Sequence, residues 1–142
     1  MKRWTLALVP GLALAAAAFA PPPRTDRTVP PATHRVRMIQ QGQQYLFQPA
    51  NMTIASGDLI EYVNVSGGPH NVQFTPSKIP AGAADVLNRG MPNRMGPLAG
   101  PMLTAPNAVY RVNFAGAPAG TYEVICLPHQ ALGMKGVVTV RR

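Results

Sequence analysis

Cysteine, histidine and acidic residues are all scarce in this chain, and each shortage removes a class of chemistry. Cys126 is the one cysteine in 142 residues. It cannot close an intrachain disulfide, so the fold has to stand on its hydrophobic core. No cysteine lies near the N-terminus, which excludes a lipid-modified N-terminal Cys. Asp and Glu number 5 against 13 Lys and Arg, for a formal net charge of +8. Nucleic acid is not the implied partner, because Arg24, Arg35, Arg37, Arg89, Arg94, Arg111 and Arg141 are scattered rather than clustered. Attraction to acidic partners or anionic membrane surfaces is what the charge implies. The chain also lacks an internal repeat and any sustained helical period.

The N-terminus reads as an export segment. Lys2 and Arg3 precede an apolar run from Trp4 to Ala20, the n-region and h-region of a secretory signal over residues 1–20. Ala18-Phe19-Ala20 has the small-x-small form of a cleavage site, with Pro21 directly after it. Cleavage there, cleavage after Ala18 and retention as an uncleaved membrane anchor are the alternatives. Residues 21–33 hold five prolines, Pro21, Pro22, Pro23, Pro30 and Pro31, and form a Pro-rich linker. Residues 34–142 are then one domain, large enough to bury roughly two-thirds of its unfolded surface.

Within that domain the apolar period is two. His34–Ile39 alternates; Tyr45, Phe47 and Pro49 start a second run, and Asn51–Ala55 a third. Leu59–Val65 is rich in β-branched and aromatic residues between Ser56-Gly57-Asp58 and Ser66-Gly67-Gly68-Pro69. Val72–Phe74, Val109–Phe114, Thr121–Ile125 and Val137–Val140 complete the set. Short strands between Gly/Pro turns predict an all-β, antiparallel sandwich. From Thr75 to Asn107 the alternation stops in a Pro- and Met-rich insertion, where only Ala83–Asn88 suits a helical turn or two. A long irregular stretch in a small domain is usually functional or disordered.

The chemistry is concentrated in Cys126-Leu127-Pro128-His129-Gln130-Ala131-Leu132-Gly133-Met134, between the last two strands. It offers a thiolate, an imidazole and a thioether, and His70 in Gly68-Pro69-His70-Asn71 offers a second imidazole. Two His, one Cys and a weak axial Met make the trigonal blue-copper ligand set. Imidazole suits Cu(II), while thiolate and thioether suit Cu(I), so one site satisfies both states and little has to move when an electron arrives. Export sharpens the point, since a lone cysteine in an oxidising compartment is buried and inert, paired between chains, or bound to metal. Pro128 and Gly133 fix the bend that lets three donors from one loop converge.

Other chemistries lack parts. Structural zinc needs four good donors, and the fourth here would be Met134 or His34, which reads as an ordinary surface histidine. A Cys–His hydrolase needs an orienting third group and an oxyanion hole that nothing marks. A copper oxidase needs a second, histidine-rich centre, and the chain has 3 His in all. An electron carrier rather than an enzyme is expected.

The spacing Cys126-x2-His129-x4-Met134, with Pro128 and Gln130 inside it, resembles the ligand loop of plastocyanins and their bacterial relatives in the cupredoxin family. Gly68-Pro69-His70-Asn71-Val72-x-Phe74, Ile79-Pro80-Ala81-Gly82, Gly120-Thr121-Tyr122, Phe47-x-Pro49, Ser56-Gly57-Asp58 and Tyr62-x-Asn64 are similar to further family segments, from about residue 36 to the end. The resemblance implies a Greek-key β-sandwich binding one copper ion near one end. It implies His70, Cys126 and His129 as equatorial ligands, Met134 as the axial one, and Asn71 as the residue tying the two ligand loops. Relatives commonly carry Ser or Thr after the cysteine; Leu127 here removes a side-chain hydrogen bond from Asn71. Pro128 also belongs to the shell around the ligands.

The resemblance further implies His129 as the electron exit, its ring edge set in an apolar patch with Leu132 and Pro69. Gly133, Met91, Met95, Pro97 and Leu98 are further candidates for the patch. The expected function is single-electron shuttling between redox-partner proteins, with acidic docking surfaces on those partners. The expected location is the periplasm or the outer face of the cytoplasmic membrane, as a monomer. The alternative is an exported copper carrier or store using Met91, Met95 and Met102 as an additional Cu(I) site.

Overall fold

A computed structural model describes residues 30–142; the export segment and most of the linker lie outside the described residues. Eight strands form two four-stranded sheets: β1 (Thr33–Gln41), β2 (Gln44–Gln48), β3 (Asn51–Ala55), β4 (Leu59–Asn64), β5 (Gln73–Phe74), β6 (Val109–Asn113), β7 (Gly120–Ile125) and β8 (Lys135–Arg141). The strand orders are β2-β1-β4-β6 and β3-β8-β7-β5. All eight coincide with the alternating segments of the sequence. The architecture is the expected Greek-key β-sandwich, but its sheets are mixed rather than purely antiparallel. β1 runs parallel to β4 and β3 parallel to β8. Local alternation reports which face a residue takes and is blind to the direction of the neighbouring strand.

The core lies between the sheets. Alternate residues of each strand face inward: Val36 and Met38 from β1, Ile60 and Tyr62 from β4, Tyr110 and Val112 from β6, Val138 and Val140 from β8. Phe74, Phe114 and Tyr122 pack edge to face at 5.8–6.5 Å between ring centroids, an arrangement worth about 0.5–1.5 kcal/mol per pair beyond area burial. On the outer face of the first sheet, Glu61 of β4 accepts from Arg35 of β1 and Arg111 of β6, crossing three strands.

The insertion between β5 and β6 is ordered by backbone bonds along the first-ligand segment. Phe74 N–H donates to Leu98 C=O (2.9 Å), Gly100 N–H to Val72 C=O (2.8 Å), and Leu103 N–H to His70 C=O (2.7 Å). Its helix α1 (Ala83–Gly90) is slightly longer than expected and buries Ala83 and Leu87. Asn88 Oδ1 accepts from Leu98 N–H (2.8 Å), and the Tyr110 hydroxyl donates to Pro92 C=O (2.9 Å). Burial pushes that phenol up to about 12. No helix among the described residues is long and apolar enough to cross a membrane.

β1 and β4 run side by side from Thr33 and Leu59 to Met38 and Asn64. At about 3.3 Å per residue these five steps separate the two ends of the sandwich by roughly 16 Å. At the starting end His34 is not an isolated surface histidine. Its Nε2 lies 2.7 Å from Asp58 Oδ2, and the Asp58 carboxylate also accepts the N–H groups of Ala32 and Ala55. The finishing end carries the ligand candidates.

Candidate metal centre

The loop after β7 is folded back on itself by its own backbone. Cys126 N–H donates to Met134 C=O (3.2 Å), His129 N–H to Cys126 C=O (3.0 Å) and Met134 N–H to His129 C=O (3.1 Å). Leu127–Leu132 winds into a short 3-10 helix with Pro128 in its first turn, where no N–H is needed. It ends at Gly133, whose φ of 84° lies in the left-handed region that a side chain disfavours. Cys126, His129 and Met134 are thereby folded back within one nine-residue loop.

His70 comes from the connection between β4 and β5 and is pinned by a two-way backbone bridge to Leu103. Its Nε2 lies 2.9 Å from the Ser66 carbonyl oxygen, a group that can only accept. Nε2 therefore carries the proton, and the lone pair sits on Nδ1. Nδ1 faces Cys126 Sγ at 3.5 Å, and His129 Nδ1 faces the same sulfur at 3.4 Å. The three donor atoms lie within 4.8 Å of one another, all on buried residues.

These distances suit a shared metal ion. Two donors bonded to one ion at about 2.0–2.3 Å across a trigonal angle stand about 3.5–3.8 Å apart, close to what is seen. The donor types suit copper, a borderline-to-soft metal. Met134 is fully buried in the same cluster as Cys126. Burial pushes the Cys126 thiol up, opposed by the nearby backbone N–H groups of Asn71 and His129. Burial pulls the His129 imidazole down, aided by His70 beside it.

Asn71 spans the two ligand segments. Its Oδ1 accepts the backbone N–H of Leu127 at 2.7 Å, so the tie survives the loss of a hydroxyl at that position. Its Nδ2, buried, has no partner among the described residues.

Tyr45 is the residue that sequence reasoning missed. It lies at the start of β2, and its ring stacks on His129 with centroids 3.8 Å apart and planes 10° apart. It also meets His70 edge-on at 6.4 Å. The only signal in the chain was its alternation with Phe47, which marks an inward face but names no partner.

The surface around the site mixes apolar side chains with exposed uncharged polar ones, Gln41, Gln44 and Gln130 among them. Leu132 and Leu127 are 58% and 47% exposed beside His129, which is itself 8% exposed; Pro69 and Pro128 are exposed nearby. Met102 is exposed next to Leu103, the bridge partner of His70. Met91 and Leu98 are in the core and cannot line a surface patch, whereas Met95 and Pro97 are exposed. The segments that build this end, 40–45, 64–71, 101–107 and 126–134, contain no Asp, Glu, Lys or Arg.

Comparison with known proteins agrees with this geometry. Residues 34–141 match the copper binding proteins of the plastocyanin/azurin family. The chain is 37% identical to a plastocyanin of Scenedesmus fuscus over 97 residues, 68% of this chain and 87% of that one. It is likewise 37% identical to a plastocyanin of Nostoc punctiforme over 109 residues, 77% of this chain and 74% of the other. Among solved structures, the oxidised plastocyanin of the fern Dryopteris crassirhizoma superposes with a TM-score of 0.57 at 26% identity, covering 75% of this chain and 99% of that one. The chain belongs to the plastocyanin/azurin family of copper-binding proteins, and its cofactor is one copper ion.

Proposed function

We propose that this type 1 copper electron-transfer protein holds its metal with His70 Nδ1, Cys126 Sγ and His129 Nδ1, with Met134 as the weak axial donor. On this reading it shuttles single electrons between redox partners outside the cytoplasm, in the periplasm or at the outer face of the membrane. One observation carries the reading: three soft-to-borderline donor atoms on buried residues converge within 4.8 Å. Copper supplies the one-electron chemistry. The protein's part is to keep the donors from rearranging. Ser66 C=O holds His70, the doubled loop holds Cys126 against His129, and Asn71 ties the two segments together.

The partner docks, on this proposal, at the His129 end, where Leu127 and Leu132 are exposed on the same short helix as the buried His129. The basic surface elsewhere favours partners with acidic surroundings by long-range attraction. A separate Cu(I) store on Met91, Met95 and Met102 is disfavoured, because Met91 is committed to the core while Met95 and Met102 face solvent.

Copper titration of the purified protein tests the reading. One tightly held copper, an intense blue charge-transfer band and narrow copper hyperfine splitting are expected. A colourless protein with several weak Cu(I) sites would overturn it. Leu132→Glu should slow exchange with a partner while leaving the blue band intact; if the band collapses instead, Leu132 is structural and the docking assignment fails.

A further inference from the structure

The two imidazoles of the site are held in different ways. His70 is oriented by a hydrogen bond, Nε2 to Ser66 C=O at 2.9 Å. His129 has no counterpart: among the described residues, nothing hydrogen-bonds its Nε2. Its Nδ1 is directed at Cys126 Sγ, and rotation about its side-chain torsions is not restrained by any second polar contact. What restrains it is a ring. Tyr45 lies flat on the imidazole, 3.8 Å away and 10° from coplanar, so any swing of His129 has to break that stack.

The chain makes room for this ring. Tyr45 pairs with Gln40 across the β1–β2 hairpin, which brings it out beyond Phe47 to the copper end. The turn after β4 passes over it at Gly67, with φ of 76°. A Cβ on Gly67 would stand 3.1 Å from Tyr45 Cε1 and would collide with the Gln40 side chain. A side chain at 67 is therefore excluded chiefly by Gln40, with Tyr45 in tight contact behind it. The preceding residue of the same turn, Ser66, supplies the carbonyl that orients His70.

We propose that Tyr45 is a positioning residue for the copper site, fixing the plane of the His129 ring by stacking, in the role that Ser66 C=O performs for His70. The proposal rests on the reading of His129 as a ligand. It goes further in assigning to an aromatic side chain the orientation that a metal-bound histidine ordinarily receives from a hydrogen bond to its second nitrogen. A stacked pair prefers an offset, near-parallel arrangement, and the preference is carried by the ring rather than by the hydroxyl. Tyr45 can thus be exchanged for another aromatic residue but not for an aliphatic one of similar bulk.

The test compares Tyr45→Phe with Tyr45→Leu in the copper protein. In the Cu(I) form, which is diamagnetic, NMR should find the His129 ring protons shifted upfield by the stacked ring in wild type and in Tyr45→Phe. The shift should vanish in Tyr45→Leu. Copper should bind about three- to tenfold more weakly to Tyr45→Leu and with unchanged affinity to Tyr45→Phe. Equal loss in both variants, or full affinity in Tyr45→Leu, overturns the proposal. Should Tyr45→Leu fail to fold, Tyr45→Met, more pliant in filling the space, carries the same comparison. Failure of the ligand reading itself looks different: wild type then lacks the blue band, and Cys126→Ser binds copper as tightly as wild type.

Discussion

The two ends of the sandwich each bury polar side chains, and they satisfy them in opposite ways. At the starting end of β1 and β4 the Asp58 carboxylate has its partners within the protein: the His34 ring and the N–H groups of Ala32 and Ala55. Every contact is donor to acceptor, and the network closes on itself. At the finishing end, His70 Nδ1, His129 Nδ1 and Cys126 Sγ converge on a common point. A thiol is a weak donor and a weak acceptor, so these contacts stabilise little by themselves. A closed network is what folding alone produces; a convergent one needs a cation to complete it. The difference separates a polar cluster that serves stability from one that serves chemistry.

Substitutions at the two ends should therefore fail in different ways. The largest effect belongs to Cys126→Ser, which should abolish the blue band completely, whereas His34→Ala at the other end should leave it unchanged in visible spectroscopy. Asp58→Ala should cost about 2–4 kcal/mol in denaturant unfolding, since it strands two backbone donors and an imidazole, yet copper should still bind.

The acid limb of the stability curve offers a finer distinction. Burial alone would raise the Asp58 pKa, but the hydrogen bonds from His34, Ala32 and Ala55 outweigh it and hold the group below its ordinary 3.8. A carboxylate depressed on folding contributes its full stabilisation above the unfolded value and loses it as pH falls through the folded one. Unfolding measured from pH 6 downward should thus show stability beginning to drop near pH 4, and Asp58→Asn should flatten that drop. At the copper end, Asn71→Ala removes the acceptor for Leu127 N–H and should weaken copper binding about tenfold by competition titration, with a smaller loss of stability of about 1–2 kcal/mol. Leu127→Thr offers the orphan Asn71 Nδ2 an acceptor and should raise stability by about 1 kcal/mol with the blue band retained, the smallest effect of the series.

Much of this was legible in the chain. The strands could be read because alternation is a local property, written in consecutive residues such as those of β4 and β6. The three donors that converge could be read because soft ligands are few here and their spacing is distinctive. Direction of pairing was not legible: nothing in His34–Ile39 says that its neighbour Leu59–Asn64 runs parallel to it. Nor were the sides of the insertion, where Met91 goes inward and Met95 outward without a period to tell them apart. His34 and Tyr45 were missed for one reason. Each is defined by a partner far along the chain, Asp58 and His129, and such pairings exist only once the strands have taken their register.

The uncharged copper end bears on how long an encounter lasts. Cationic side chains elsewhere act at a distance, and their pull governs how often a partner arrives and how strongly salt slows it. On the docking proposed above, segments 64–71 and 126–134 bring no charged side chain to the contact, and so no ion pair of theirs has to be broken when the partner leaves. On that proposal arrival is tuned by the electrolyte while departure is set by a few apolar contacts around Leu127 and Leu132. A carrier profits from that separation: it can be captured quickly without being retained, and its turnover is limited by neither.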